Sequence, residues 1–143
     1  MALSRSIAVL VTLAMAACGG GDGPTGPDPG ERTIKDDPSF SQDVFEILTR
    51  RGCTASNCHG SGQGGLTMTS AANAYGNLVG RPAAGRAGET LVVPGDAAAS
   101  YLVKKLEGAS GIAGARMPLG GQPLDNIDLT NIRNWINRGA NNN

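Results

Sequence analysis

Glycine is the heaviest burden this chain carries into folding: 22 of its 143 residues, each losing more backbone freedom on ordering than any other residue type. Against that cost stands a small apolar inventory. From Phe40 to Ile136 only 26 side chains are Ile, Leu, Val, Met, Phe, Tyr or Trp, and five of these are aromatic. For a domain of roughly a hundred residues that is a thin core. A large apolar cofactor packed among the elements would make up the shortfall.

Four helices can be read in the apolar spacing, which makes the fold class all-α. The first follows Pro38, with Ser39 or Ser41 as N-cap and Phe40, Val44, Ile47 and Leu48 on one face; it stops near Gly52. The second runs from about Ser70 to Val79, capped by Ser70 and ended by Gly80. The third is expected after Val93-Pro94-Gly95-Asp96, with Asp96 as N-cap, Tyr101, Leu102 and Leu106 inward, and Gly108 as terminator. The fourth begins near Asp125, places Asp128 in its first turn to complement the helix dipole, buries Leu129, Ile132, Trp135 and Ile136, and ends at Gly139. Leu91-Val92-Val93 is the one β-like stretch, and Pro94 cuts it short. Glycine-rich connections join the helices.

The chemistry concentrates just past the first helix, in Cys53-Thr54-Ala55-Ser56-Asn57-Cys58-His59-Gly60. Two cysteines followed at once by a histidine form the run that attaches haem c, where the thiols add across the two vinyl groups and the imidazole lies beneath the iron. The usual spacer is two residues; here it is four. His59 is the only histidine in the chain. Other readings compete. Cys53 and Cys58 could form a small-loop disulfide in an oxidising compartment. A structural zinc site takes four Cys or His ligands, one more than this run offers. A thiol redox motif needs a two-residue spacer in a βαβ setting, which is not present.

A second axial ligand to the iron would come from far along the chain. Met117 lies in Ala115-Arg116-Met117-Pro118-Leu119-Gly120-Gly121, a loop ahead of the last helix. Met68, nine residues past His59, reads as core filler beside Leu66. Arg81, Arg86 and Arg116 are candidates to neutralise haem propionates, with an ordinary solvated role as the alternative for each.

The N-terminus reads as an export leader. Arg5 supplies a positive region, and Ile7 to Met15 an apolar stretch too short to span a bilayer. Met15-Ala16-Ala17-Cys18 then looks like a bacterial lipobox, so residues 1–17 are a lipoprotein signal peptide and Cys18 is the lipidated residue. An ordinary signal peptide with Cys18 incidental is the other possibility. Residues 18–37, rich in Gly, Pro and Asp, form a flexible tether with a reach of roughly 20–25 Å. Residues 38–140 form the folded domain and 141–143 a disordered tail. Twelve basic and twelve acidic residues leave no net charge. Nucleic acid is therefore set aside as a partner.

Taken in order, these motifs resemble the class I cytochrome c superfamily, in particular short exported bacterial c-type domains. The matching residues are Cys58-His59-Gly60, Val92-Val93-Pro94-Gly95 with Ser100 and Leu102, Met117-Pro118, and Trp135-Ile136 with Gly139-Ala140. They span nearly the whole globular region; the four-residue spacer and the glycine-rich segment between the second and third helices depart from the pattern. The resemblance implies a small cytochrome c fold wrapped around one covalent haem c, with thioethers at Cys53 and Cys58 and axial ligands His59 and Met117. It also implies that the first and last helices cross, with Phe40, Phe45 and Trp135 at the crossing. The expected function is one-electron transfer between periplasmic or membrane redox partners. With both axial positions filled there is no bond-making step to catalyse, so the chain is a carrier rather than an enzyme, though it could serve as an oxidoreductase subunit or partner. Its haem domain would lie in the periplasm or on the extracytoplasmic face of a bacterial membrane, held there by the N-terminal lipid. Two other functions remain: a haem-based ligand-binding or sensing lipoprotein with an open or displaceable sixth site, and a haem-free lipoprotein held by a Cys53–Cys58 disulfide.

Overall fold

A computed structural model of the protein describes residues 32–143; the expected signal peptide, Cys18 and most of the tether lie outside the described residues. The described part is mostly helical. A π-helical turn, Phe40–Val44, runs straight into α1 (Phe45–Arg50), and α2 (Ala71–Leu78), α3 (Tyr101–Glu107) and α4 (Asn126–Asn137) follow. Short 3₁₀ turns occupy His59–Ser61 and Gln63–Gly65. Among the described residues there is no sheet, only isolated bridges such as Val79 with Val92 and Pro82 with Thr90, and no helix is long and apolar enough to cross a membrane.

The helix starts follow their caps. Ser39 Oγ accepts the Gln42 amide at 3.2 Å, while Asp43 reaches back to accept the Ser39 amide at 2.8 Å, a reciprocal arrangement like a capping box. Ser70 Oγ accepts from Asn73, as the sequence suggested, and Asp125 Oδ1 accepts from Asp128 at the start of α4. The third helix departs from expectation. Asp96 does accept the Ala99 amide at 2.9 Å, but the turn it opens is not continued. Ser100 accepts the Val93 amide and donates to the Asp96 carbonyl, which pulls it into an extended conformation, so α3 starts at Tyr101.

The core is built where the first helical turn meets α2 and α4. Phe40 is fully buried, with ring centroids 4.9 Å from Trp135 and 5.3 Å from Tyr75, and Phe45 lies 6.4 Å away. Val44, Ile47, Leu48, Leu78, Val92, Val103, Leu106, Ile132 and Ile136 fill in around this cluster. Tyr101, Leu102 and Leu106 face inward as their spacing predicts, whereas Leu129 is only half-buried.

One polar residue is buried at the same crossing. The Asp128 carboxylate, 1 % exposed, accepts from Arg50 at 2.7 Å and from Arg32 at 3.1 Å. A buried carboxylate costs stability unless it is paired and hydrogen-bonded. Asp128 therefore does more than complement a dipole: it ties the end of α1 to the start of α4.

Two terminal segments are more ordered than their composition suggests. Residues 32–37, expected in the tether, lie along α4: Asn131 accepts from the Lys35 amide and donates to the Thr33 carbonyl, both at 2.8 Å, and Asn134 donates to the Lys35 carbonyl. Two of the three terminal asparagines, expected as a disordered tail, instead bond to other elements. Asn143 Oδ1 accepts the Phe40 amide at 2.8 Å and the Asn141 carbonyl accepts Trp135 Nε1 at 2.9 Å. Asparagine amides supply the donors and acceptors that a poorly apolar edge needs.

Asp125 carries a pH signature. The Asp128 amide, followed by Arg32, holds its carboxyl below the ordinary 3.8. Because the folded value is depressed, its contribution is present above the ordinary value and is lost as pH falls below it. Asp125→Ala should cost about 1 kcal/mol at neutral pH. Thermal unfolding of both proteins should show that gap narrowing towards pH 3, and a gap of constant size would contradict the capping role.

Candidate functional site

The approach to Cys53 is dictated by how α1 ends. Gly52 takes a left-handed conformation (φ 76°). Its amide bonds to the Thr49 carbonyl at 3.0 Å, and the Cys53 amide bonds to Leu48 at 2.9 Å. This is the Schellman pair of bonds, which glycine permits without strain. It turns Cys53 back so that the side chain packs on the hydrophobic core. Burial pushes the Cys53 thiol up to about 11, with nearby Cys58 adding to the effect. It is thus a protonated thiol at neutral pH rather than a reactive thiolate.

The four-residue spacer closes on itself. The Cys58 amide bonds to the Ala55 carbonyl at 2.8 Å, the His59 amide to the Cys53 carbonyl at 3.0 Å, and Ser61 Oγ donates to the Ser56 carbonyl. The spacer residues Ala55, Ser56 and Asn57 are exposed. Gly60 is required by close approach: a Cβ there would stand 2.4 Å from the Thr54 carbonyl oxygen and 2.8 Å from that of Ala55. The longer spacer is therefore compatible with bringing Cys53 and His59 together, because it folds as a loop bulging to solvent.

His59 is oriented by its own neighbours. Nδ1 lies 2.8 Å from the Gln63 carbonyl and 3.3 Å from that of Leu66. A carbonyl only accepts, so Nδ1 carries a proton, and in the neutral ring Nε2 is the nitrogen that presents a lone pair. The Met68 amide donates to the His59 carbonyl at 2.8 Å. Met68 itself is 2 % exposed, a core residue as its position beside Leu66 suggested.

Met117 is half-buried against the same core that supports Cys53. Its amide donates to the Lys105 carbonyl at 2.8 Å. Of the proposed propionate partners, Arg81 and Arg86 are exposed. Arg116 is committed elsewhere, donating to the carbonyls of Met117 (3.1 Å) and Gly121 (2.7 Å). A cleft of about 330 Å³ bordered by Arg86, Tyr101, Lys104, Ser110 and Arg133 contains none of the four site residues. Two of its basic walls are paired, Lys104 with Glu89 and Arg133 with Glu107.

The residues present fit a covalently held haem better than a bare ion. Cys53 and Cys58 are both free thiols. Among the described residues no group of three or more His, Cys, Asp or Glu converges to hold a metal ion. Partly exposed apolar side chains, Cys53, Leu66, Leu91, Met117 and Leu129, rest on the core and would gain from being covered by a flat apolar group. Nothing in the sequence singles out Lys105, whose one legible feature is its place in the last turn of a helix ended by glycine. In comparison with known proteins, the chain matches no protein-family model, no characterised protein and no solved structure.

Proposed function

We propose that the chain is a monohaem c-type cytochrome of the class I kind, membrane-tethered, that carries single electrons between periplasmic or membrane partners. Cys53 and Cys58 would hold the haem by thioethers: each S–H adds across a vinyl double bond, the sulfur bonding one carbon and the hydrogen going to the other, with no oxidant needed. His59 Nε2 and the Met117 sulfur would be the axial ligands. The observation that carries this reading is the orientation of His59, whose Nδ1–H is spent on the Gln63 carbonyl at 2.8 Å so that Nε2 is left to bind a metal.

When bound, the haem supplies a one-electron iron couple, whose potential a His/Met ligand pair raises. The chain's own residues do the rest. The Gln63 carbonyl fixes the imidazole and increases its basicity. The Schellman turn at Gly52 seats Cys53 against the core. The hydrogen bond from the Met117 amide to Lys105 holds the backbone of the sixth ligand, which favours a filled axial position over ligand capture and sensing. Lipidation at Cys18 rests on the sequence of the leader.

Expressed with a cytochrome maturation system, the protein should show a c-type haem spectrum, and Met117→Ala should turn high-spin with a lower potential. No haem would end the proposal; an unchanged Met117→Ala spectrum would move the ligand elsewhere. Cys18→Ser should shift the protein from the membrane to the soluble fraction, and retention there would contradict the anchor.

A further inference from the structure

The loop that carries Met117 has little of its own to hold it. Residues 108–117 hold three glycines, three alanines and no regular structure. Its polar contacts converge instead on α3. Lys105 Nζ donates to the carbonyls of Ala113 at 2.8 Å and Ala115 at 2.6 Å. The Lys105 carbonyl, one of those left without an intrahelical partner at the helix end, accepts the Met117 amide at 2.8 Å. Tyr101, buried on the same helix, accepts the Ala113 amide through its hydroxyl at 2.8 Å. Lys105 thus grips the loop twice, through its ammonium and through its backbone.

We infer that Lys105 is the positioning residue for Met117, holding segment 113–117 against α3 so that the thioether is presented before any ligand binds. The inference rests on Met117 being the sixth ligand. The physical case is one of preorganisation. A glycine-rich loop left free would have to be ordered each time its methionine bound, and that cost would weaken the bond. Two charge-assisted hydrogen bonds from a half-buried ammonium remove most of this freedom in advance. The main chain of Met117 is then fixed at its amide, and Arg116 ties its carbonyl to the same loop. Lys105 makes no contact with the metal in this scheme; it acts through the loop.

The test uses the haem-loaded protein with Lys105→Met, which keeps the side-chain length without the donors, and Lys105→Arg, which keeps donors and charge. Amide exchange at Ala113 and Met117 should be about tenfold faster in Lys105→Met, the loss expected for hydrogen bonds to a charged group. The methionine-to-iron charge-transfer absorption of the ferric protein should fall, with ligand occupancy dropping about tenfold as for loss of an outer-shell partner. Lys105→Arg should restore both readouts. Unaltered helix content by circular dichroism separates this from unfolding, and should Lys105→Met fold poorly, Lys105→Leu, which also lacks donors, provides the same comparison. An unaltered absorption band in a donor-less variant, with or without faster exchange, would overturn the positioning role while leaving Met117 as ligand. A wild-type protein that carries haem but lacks the band would overturn the ligand assignment, and this inference with it.

Discussion

Where the first helical turn crosses α4, Phe40 lies against Trp135 at 4.9 Å, and the buried Asp128 carboxylate is gripped by Arg50 and Arg32. Both halves of the candidate site depend on this crossing. The cysteine–histidine run begins three residues after the end of α1, and the Met117 loop leads into α4. Apolar contact supplies the bulk of the attraction, while the charge cluster restricts how the helices can slide or rotate. An isolated buried carboxylate would be costly, so alternative packings that separate Asp128 from its arginines are disfavoured. Fixing two helices thus fixes two loops that are otherwise short of side chains.

Much of the architecture was legible because it follows from local rules. The apolar face Phe40, Val44, Ile47, Leu48 and the caps Ser39, Ser70 and Asp125 lie where spacing and hydrogen-bonding chemistry put them. The start of α3 was misread because Asp96 does form the local bond of an N-cap; Ser100, four residues on, diverts the chain with two bonds of its own. Propensity cannot register that competition, since it arises from contact with Val93. The ordered segments at 32–37 and 141–143 were misread for a related reason. Their polar composition resembles that of a free chain, but their partners, Asn131, Asn134, Trp135 and the start of the first helix, are distant in sequence.

The site divides in the same way. Cys53, Cys58 and His59 are contiguous enough to be recognised together, but which backbone carbonyl of the following glycine-rich turn orients the imidazole is not legible in them. The distance from Nδ1 to Gln63 identifies which one. The role of the irregular spacer could not be read from composition. It became interpretable through the close approach of Gly60 to the Thr54 carbonyl and the closing bond from His59 to Cys53. Lys105 was invisible because nothing in a lysine near a helix end announces that its ammonium will bind carbonyls eight and ten residues ahead.

The thin apolar inventory gains a physical meaning from this arrangement. Half-exposed apolar side chains rest on a well-packed core, and the cysteine–histidine run lies at its edge; a covalently held apolar cofactor would serve both features. The most direct measurement of that claim is mass spectrometry of a proteolytic peptide spanning Cys53 to His59, taken from protein matured in an exporting, haem-competent host. The account predicts one haem on that peptide, bonded to both Cys53 and Cys58. A peptide recovered with free or mutually disulfide-bonded cysteines would contradict it.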